Sequence, residues 1–240
     1  MTPRELPPTS AFAQDDGSAD PVLRGVLEAH AAGTSSVADV VAALAGTRVL
    51  VPVLAHAEVS AEEAAAEHAD DSTAAAGVVG VQTPDGRTAL PVFTSVATMS
   101  AWRPDARPVP AEASRAALSA VSDGWPVLVV DPAGPVPVTV PRPAVVALAE
   151  GRSWQPAVLG GAVVDEVREA VRTAMGGLAA VVSCDVVPGE RAEVTVDLAL
   201  RPGLDRSALD AVLQQVGERL AADPVTAERV DSFELRLRRA

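Results

Sequence analysis

The spacing of apolar residues near the start of the chain predicts two short helices. Apolar residues recur at helical intervals over residues 21–32 and again over 37–44. Asp20 with Pro21 is a favourable start for the first helix, and Ser35 or Ser36 can cap the second. Because Gly33 separates the two segments and Gly46 closes the second, we expect a helical hairpin ahead of the sheet.

Short apolar runs after this hairpin predict strands. Residues 48–54 read RVLVPVL, which is typical of a strand buried on both faces. Pro52 lacks a backbone N–H, so we expect a bulge there or one unpaired side. Residues 77–82 and 87–93 are predicted to form a β-hairpin, since the intervening TPDG sequence favours a tight turn.

The pattern continues with shorter elements up to the first candidate domain boundary. The expected helices cover 95–102, 111–121 and 143–149, and the expected strands cover 125–130 and 136–140. Strands alternating with helices favour an α/β domain over residues 20–155, with a mixed sheet behind the helical hairpin. Residues 1–19 are predicted to be a flexible tail.

A second, smaller α+β domain is predicted over residues 160–240. Its helices are expected near 163–175 and 209–220, and its sheet is expected to have three mainly antiparallel strands. In the second strand, apolar residues alternate with Glu193 and Asp197, and in the last strand with Arg236 and Arg238. Opposite charges across a ladder are favourable, so we expect these two strands to be neighbours.

Composition and charge narrow the compartments and partners that are compatible with this chain. The formal net charge of −13 opposes nucleic acid or an anionic membrane as the main partner. The first residues lack the apolar block of a secretory signal, and no apolar stretch is long enough for a membrane span. Cys184 is the only cysteine, which fits a reducing compartment. We therefore expect a cytoplasmic protein whose oligomeric state the sequence leaves open.

The residue inventory argues against several kinds of catalysis. All 19 basic residues are Arg and the chain has no Tyr, so Schiff-base chemistry, a P-loop lysine and a tyrosine acid are excluded. Neither a GxSxG elbow nor a GxGxxG loop occurs, and Cys184 lies in a predicted strand. We expect no enzymatic activity and no cofactor.

An acidic segment is the one candidate for metal ligands. It carries His56, Glu58, Glu62, Glu63, Glu67 and His68. The spacing matches no known ligand geometry and alanines surround it, so a solvated loop or exposed helix over 57–76 is favoured and no metal is predicted.

Four residues of the first domain are candidates for binding. Phe93 and Trp102 each lie at the end of a predicted element, where clefts form, although core packing is an alternative. Asp131 precedes Pro132 and can be a turn residue or a ligand contact, with Arg107 as its expected ion-pair partner.

Several motifs in register resemble one protein family. They are VLVPVL at 49–54, LPVFTS at 90–95, Trp102, PDARPVP at 104–110, DPAGP at 131–135 and W-x-P at Trp154. In this order and spacing they resemble the N-terminal domain of the SseB family, in its actinobacterial form. The family label is attached to a type III secretion component and to a serine-sensitivity phenotype. The resemblance supplies no catalytic residues, and residues after 160 carry no sharp motif of it.

These observations favour a non-catalytic adaptor or regulatory protein that contacts another protein. A small-ligand sensor, or an enzyme of unrecognised type using Asp85, Arg107 and Asp131, is the alternative. A secreted translocon-like component is a third class, which predicts export.

Overall fold

The computed structural model describes residues 12–54 and 77–240, which fold as an α+β protein. Contacts divide the chain into two compact units, Met1–Val140 and Pro141–Ala240. The acidic segment with the candidate metal ligands lies outside the described residues.

The first unit contains four helices and six strands among the described residues. In chain order they are α1 (Pro21–Ala31), α2 (Val37–Leu44), β1 (Arg48–Val53), β2 (Val81–Gln82), β3 (Thr88–Val92), α3 (Val96–Trp102), β4 (Arg107–Glu112), α4 (Ala113–Ser122), β5 (Val127–Val130) and β6 (Val138–Val140).

The helical hairpin of α1 and α2 is confirmed, and its caps explain where each helix begins. The Asp20 side chain accepts hydrogen bonds from the backbone of Val22 and Leu23. Ser36 and Asp39 form a reciprocal capping box at α2. The buried faces carry Leu23, Val40 and other aliphatic side chains, as their helical spacing predicts.

A four-stranded sheet in the order β2-β3-β5-β6 forms the centre of this unit. The predicted β2–β3 hairpin is confirmed, and its turn places Gly86 at φ +84°. Hydrogen bonds from the Thr83 hydroxyl and then from Arg87 lower the pKa of Asp85 to about 2. Strands β3 and β5 are parallel, so their carboxyl ends meet at one edge of the sheet.

Strands β1 and β4 form a separate antiparallel pair, and β4 was not predicted. Three prolines meet in it, since Pro52 lies opposite Pro108 and Pro110 opposite Leu50. The Leu50 N–H donates to the Phe93 carbonyl at 2.8 Å, so the backbone of Leu50 faces away from β4. Backbone direction alternates along a strand and is shared by residues directly opposite each other, so the three prolines also face away from the β1–β4 ladder. The N–H groups that these prolines lack would therefore not have taken part in the hydrogen bonds between β1 and β4. Residues 111–112, expected to be helical, end β4 instead.

The second unit contains four helices and five strands. They are α5 (Arg142–Ala149), β7 (Val158–Leu159), β8 (Ala162–Val163), α6 (Asp165–Met175), β9 (Val181–Pro188), β10 (Val194–Leu200), α7 (Arg206–Ala222), α8 (Pro224–Arg229) and β11 (Phe233–Arg239). Helix α5 belongs here because it contacts α8, and the Arg142 N–H donates to the Asp231 carboxylate at 3.0 Å. The division at Val140 thus falls earlier than the sequence pattern suggests.

The main sheet of the second unit has the order β11-β10-β9. The predicted neighbourhood of β10 and β11 is confirmed, with Asp197 opposite Arg236 at 3.7 Å. This pair is parallel, and β10–β9 is antiparallel, so the sheet is mixed where a mainly antiparallel one was expected. The core side of β10 carries Val194, Val196 and Leu198, which are fully buried.

Candidate functional site

Asp131 lies directly after β5, at the edge where β3 and β5 both end. The residue is 4 % exposed. Thr94, just beyond β3, donates its backbone N–H to Oδ1 of Asp131 at 2.9 Å and its hydroxyl to Oδ2 at 2.7 Å. The carboxylate therefore ties the ends of the two parallel strands together.

The backbone of Asp131 adopts an unusual conformation. Its φ is +46°, the only positive value at a non-glycine position among the described residues. The Gly134 N–H donates to the Asp131 carbonyl at 2.8 Å, which closes a tight turn. A Cβ at Gly134 would lie 2.9 Å from the Asp131 Cβ, so this turn requires a glycine.

A cavity of about 470 Å³ opens beside this turn. Its polar lining includes Asp16, Arg24, Glu28, Thr94, Thr98 and Asp131. Leu27 and Val136 add apolar surface. Within residues 12–54 and 77–240, Arg24 forms no ion pair, so its guanidinium is available to a ligand. With three carboxylates and one guanidinium in its lining, the cavity suits a small molecule with an apolar body that carries both a cationic and an anionic group.

One wall of the cavity comes from the segment that the sequence predicts as part of a flexible tail. The Gly17 carbonyl accepts the Val96 N–H at 2.9 Å. Arg48 donates to the Thr94 carbonyl at 2.9 Å, to the Asp15 carboxylate at 2.5 Å and to the Ser18 carbonyl at 2.8 Å. Residues 12–19 are thus held against the first unit. No local pattern could reveal this, because Arg48 and Asp15 are far apart in the sequence.

Phe93 and Trp102 lie together in the core, and neither lines the cavity. Phe93 is 0 % exposed, and its ring centroid lies 5.2 Å from that of Trp102. Leu50, Met99 and Ala106 are the other buried members of this small apolar cluster, and Leu54 packs against it. The positions of these aromatics therefore fit the core-packing alternative.

Arg107 is the first residue of β4, opposite Val53, and it does not line the cavity beside Asp131. It is exposed, and within the described part of the chain it forms no ion pair. Both oxygens of Asp131 accept hydrogen bonds from Thr94, and the expected pair with Arg107 is not among the ion pairs of the described residues. Of the four candidate residues, only Asp131 lines the cavity.

The second unit offers a different surface, the outer edge of β11. Among the described strands, β11 has one neighbour, β10. The Val194 N–H donates to the Ser232 carbonyl at 3.2 Å, and the Ala240 N–H donates to the Leu200 carbonyl at 2.9 Å. Because backbone direction alternates along a strand, Leu235 and Leu237 turn their N–H and C=O groups outward. This edge can accept a further strand.

An apolar groove of about 510 Å³ follows this edge. Its lining is mainly apolar and includes Leu220 of α7, Val230 after α8, and Phe233 and Leu235 of β11, while Arg142, Asp231 and Ser232 add polar surface. Leu237 continues the strand and is 40 % exposed. The alternation of apolar and charged residues in β11 was read from the sequence, but the free edge depends on the order of the strands.

Neither the cysteine thiol nor the metal-ligating side chains of the described residues form a second candidate site. Burial raises the pKa of the Cys184 thiol, which disfavours a reactive thiolate. In the described ranges, no group of three or more His, Cys, Asp or Glu side chains is arranged to hold a metal ion. No helix in those ranges is long and apolar enough to cross a membrane.

The two units define an α+β protein with a cavity at a parallel-strand edge and a free sheet edge. A family model described as the SseB protein N-terminal domain matches residues 23–147, just over half of the chain, so the protein belongs to the SseB family. The match spans Asp131 and most of the cavity lining. No curated protein and no solved structure matches this chain. The resemblance found in the sequence is confirmed at the level of the family.

Proposed function

We propose that this SseB family protein is a non-catalytic adaptor or regulatory protein that acts by binding another protein. The observation that carries the proposal is the free edge of β11, where unpaired backbone groups lie beside an apolar groove. Addition of a strand to an open sheet edge is a common mode of peptide recognition, because backbone hydrogen bonds supply affinity and side-chain pockets supply specificity.

The substitution Leu237→Pro tests this function in a pull-down from the native lysate. The Leu237 N–H points away from β10, so proline there removes a docking donor and leaves the ladder to β10 intact. We expect a partner protein that is enriched on the wild-type chain and lost from Leu237→Pro. Leu237→Ala is the matched control, because it keeps the N–H and should retain the partner. Equal recovery of every protein on the wild type and Leu237→Pro would contradict the proposal.

A small-ligand sensor is a second candidate function, supported by the cavity beside Asp131. Ligands of α/β proteins commonly bind at the carboxyl edge of parallel strands, which is where this cavity lies. Arg24 supplies a free cation, and Thr94 and Thr98 supply hydroxyls. Because Asp16, Glu28 and Asp131 line the cavity beside Arg24, this arrangement favours a small zwitterion, such as an amino acid, over a plain acid or phosphate ester.

Thermal unfolding with a panel of small zwitterions, such as amino acids and their derivatives, tests the sensor function. A ligand present at about 100 times its Kd should stabilise the fold by about 2.7 kcal/mol, which raises the midpoint by several degrees. We expect Arg24→Ala to lose this response. Arg115→Ala, in which an 81 % exposed side chain is removed from α4, should keep it. A response that survives Arg24→Ala would place the ligand elsewhere.

A further inference from the structure

We propose that the partner of the β11 edge is an extended acidic segment, in which apolar residues alternate with Asp or Glu. This inference rests on the adaptor function proposed above, and it adds the chemical class of the partner. Three properties of the edge define that class: its outward backbone groups, its apolar groove and its arginines.

The backbone of β11 requires the partner to be extended. Leu235 and Leu237 present their N–H and C=O groups at the free edge, two residues apart. Only a strand offers donors and acceptors at the same spacing. In a strand, alternate side chains point to opposite faces of the sheet. One half of the partner's side chains therefore faces the groove, and the other half faces the outer side.

The groove requires apolar residues on the inner side of the partner strand. Phe233 and Leu235 are partly buried members of the core cluster that also line the groove. Leu220 and Val230 form its opposite side. Partner side chains entering this volume would cover apolar surface that the second unit leaves partly exposed, which is favourable.

The outer side requires acidic residues. Arg236 lies 3.7 Å from Asp197 and its side chain remains 51 % exposed. Arg238 donates to the Ser183 hydroxyl at 3.1 Å, a neutral acceptor that leaves its charge uncompensated. Glu234 lies on the same face and is already paired with Arg191 at 2.6 Å. An added strand would place its outer residues opposite Arg236 and Arg238, where a carboxylate is stabilising.

The net charge of the whole chain does not oppose this attraction at short range. The chain carries a net charge of −13, but at physiological salt the interaction between exposed charges is largely screened beyond about 8 Å. The arginines on the edge are therefore the charges that a docked strand meets. The net charge slows the approach of an acidic partner and leaves the docked contacts favourable.

A second copy of the chain is the alternative occupant of this edge. If two β11 strands paired antiparallel over their full length, Arg236 would lie opposite its own counterpart and Glu234 would lie opposite Arg238. The facing Arg236 residues are destabilising, whereas an acidic strand can place a carboxylate opposite both Arg236 and Arg238.

Two labelled synthetic peptides test the proposal with the full chain. In the acidic probe valine alternates with glutamate, and in the basic probe lysine replaces each glutamate. By fluorescence anisotropy we expect the acidic probe to bind at least about tenfold more tightly, with an affinity that falls as salt rises. The double variant Arg236→Glu with Arg238→Glu should reverse this preference. Arg206→Glu, an exposed charge reversal on α7, should leave it unchanged.

Two further measurements separate edge docking from other binding. Leu237→Pro should weaken the acidic probe by at least about tenfold, whereas Leu237→Ala should weaken it less. If Leu237→Pro lowers the melting temperature, amide hydrogen exchange in the wild-type chain replaces this comparison. The acidic probe should then slow exchange of the Leu235 and Leu237 amides and leave exchange of the Arg236 amide unchanged.

The other possible results contradict either the acidic class of the partner or the adaptor function itself. Equal affinity for both probes, or a chain that dimerises through this edge, rules out the acidic partner. If the lysate partner is lost from Leu237→Pro but still binds the Arg236→Glu, Arg238→Glu double variant as it binds the wild type, the partner is not of the acidic class, and the adaptor function stands. If no lysate partner is lost from Leu237→Pro, both the acidic partner and the adaptor function are contradicted.

Discussion

The substitution Asp131→Ala is expected to lower the free energy of unfolding by about 3 kcal/mol. It removes the acceptor of two hydrogen bonds from Thr94 in a buried setting and leaves the Thr94 donors unpaired. It also places alanine at a φ of +46°, which asparagine and aspartate tolerate better. Urea unfolding followed by circular dichroism measures the loss.

Asp131→Asn is the matched control for this effect. Its amide oxygen can accept the Thr94 N–H, its NH₂ group can donate to the Thr94 hydroxyl, and its backbone tolerates the positive φ. We expect it to cost about 1 kcal/mol. Equal stability of the alanine and asparagine variants would show that Asp131 does not join the ends of β3 and β5.

Truncation of Phe93 to alanine is expected to cost about 4 kcal/mol of unfolding free energy. Phe93 is 0 % exposed, and its ring contacts Trp102 at a centroid distance of 5.2 Å. Loss of the ring removes this contact and the packing against Leu50 and Met99, and it leaves a cavity in the core. Thermal and chemical unfolding report the loss.

Phe93→Leu should be much milder, about 1 kcal/mol, because it retains most of the buried volume. This contrast tests the core role of the aromatic pair against the binding role that the sequence also allowed. A Phe93→Ala protein that unfolds at the same urea concentration as the wild type would refute the core role.

The sequence predicted most of the local elements because their causes are local. Asp20 and the capping box of Ser36 set the starts of α1 and α2, and the TPDG turn sets the β2–β3 hairpin. The alternation of charge in two strands predicted that β10 and β11 are neighbours. It left their direction open, since facing charges can meet in parallel or antiparallel strands.

The candidate site was predictable only in part. Asp131 stood out as a turn residue after a strand, and it does line the cavity. Arg24 and the wall around Gly17 gave no signal, because a helix surface residue and a polar N-terminal stretch look like ordinary solvent-exposed sequence. Strand β4 was missed because its prolines normally argue against a strand, and only the facing strand shows that their missing donors are not needed.

By itself the sequence determined the class of the fold, the family, the helix caps and the absence of lysine and tyrosine chemistry, since each follows from residue type or short spacing. The tertiary structure alone decided which distant residues meet. Thr94 reaches Asp131 and Arg48 reaches Asp15 across long stretches of chain, and the free edge of β11 follows from strand order. The physical reason is that periodicity records which face of an element is buried, whereas the partner on that face is fixed by packing of the whole unit.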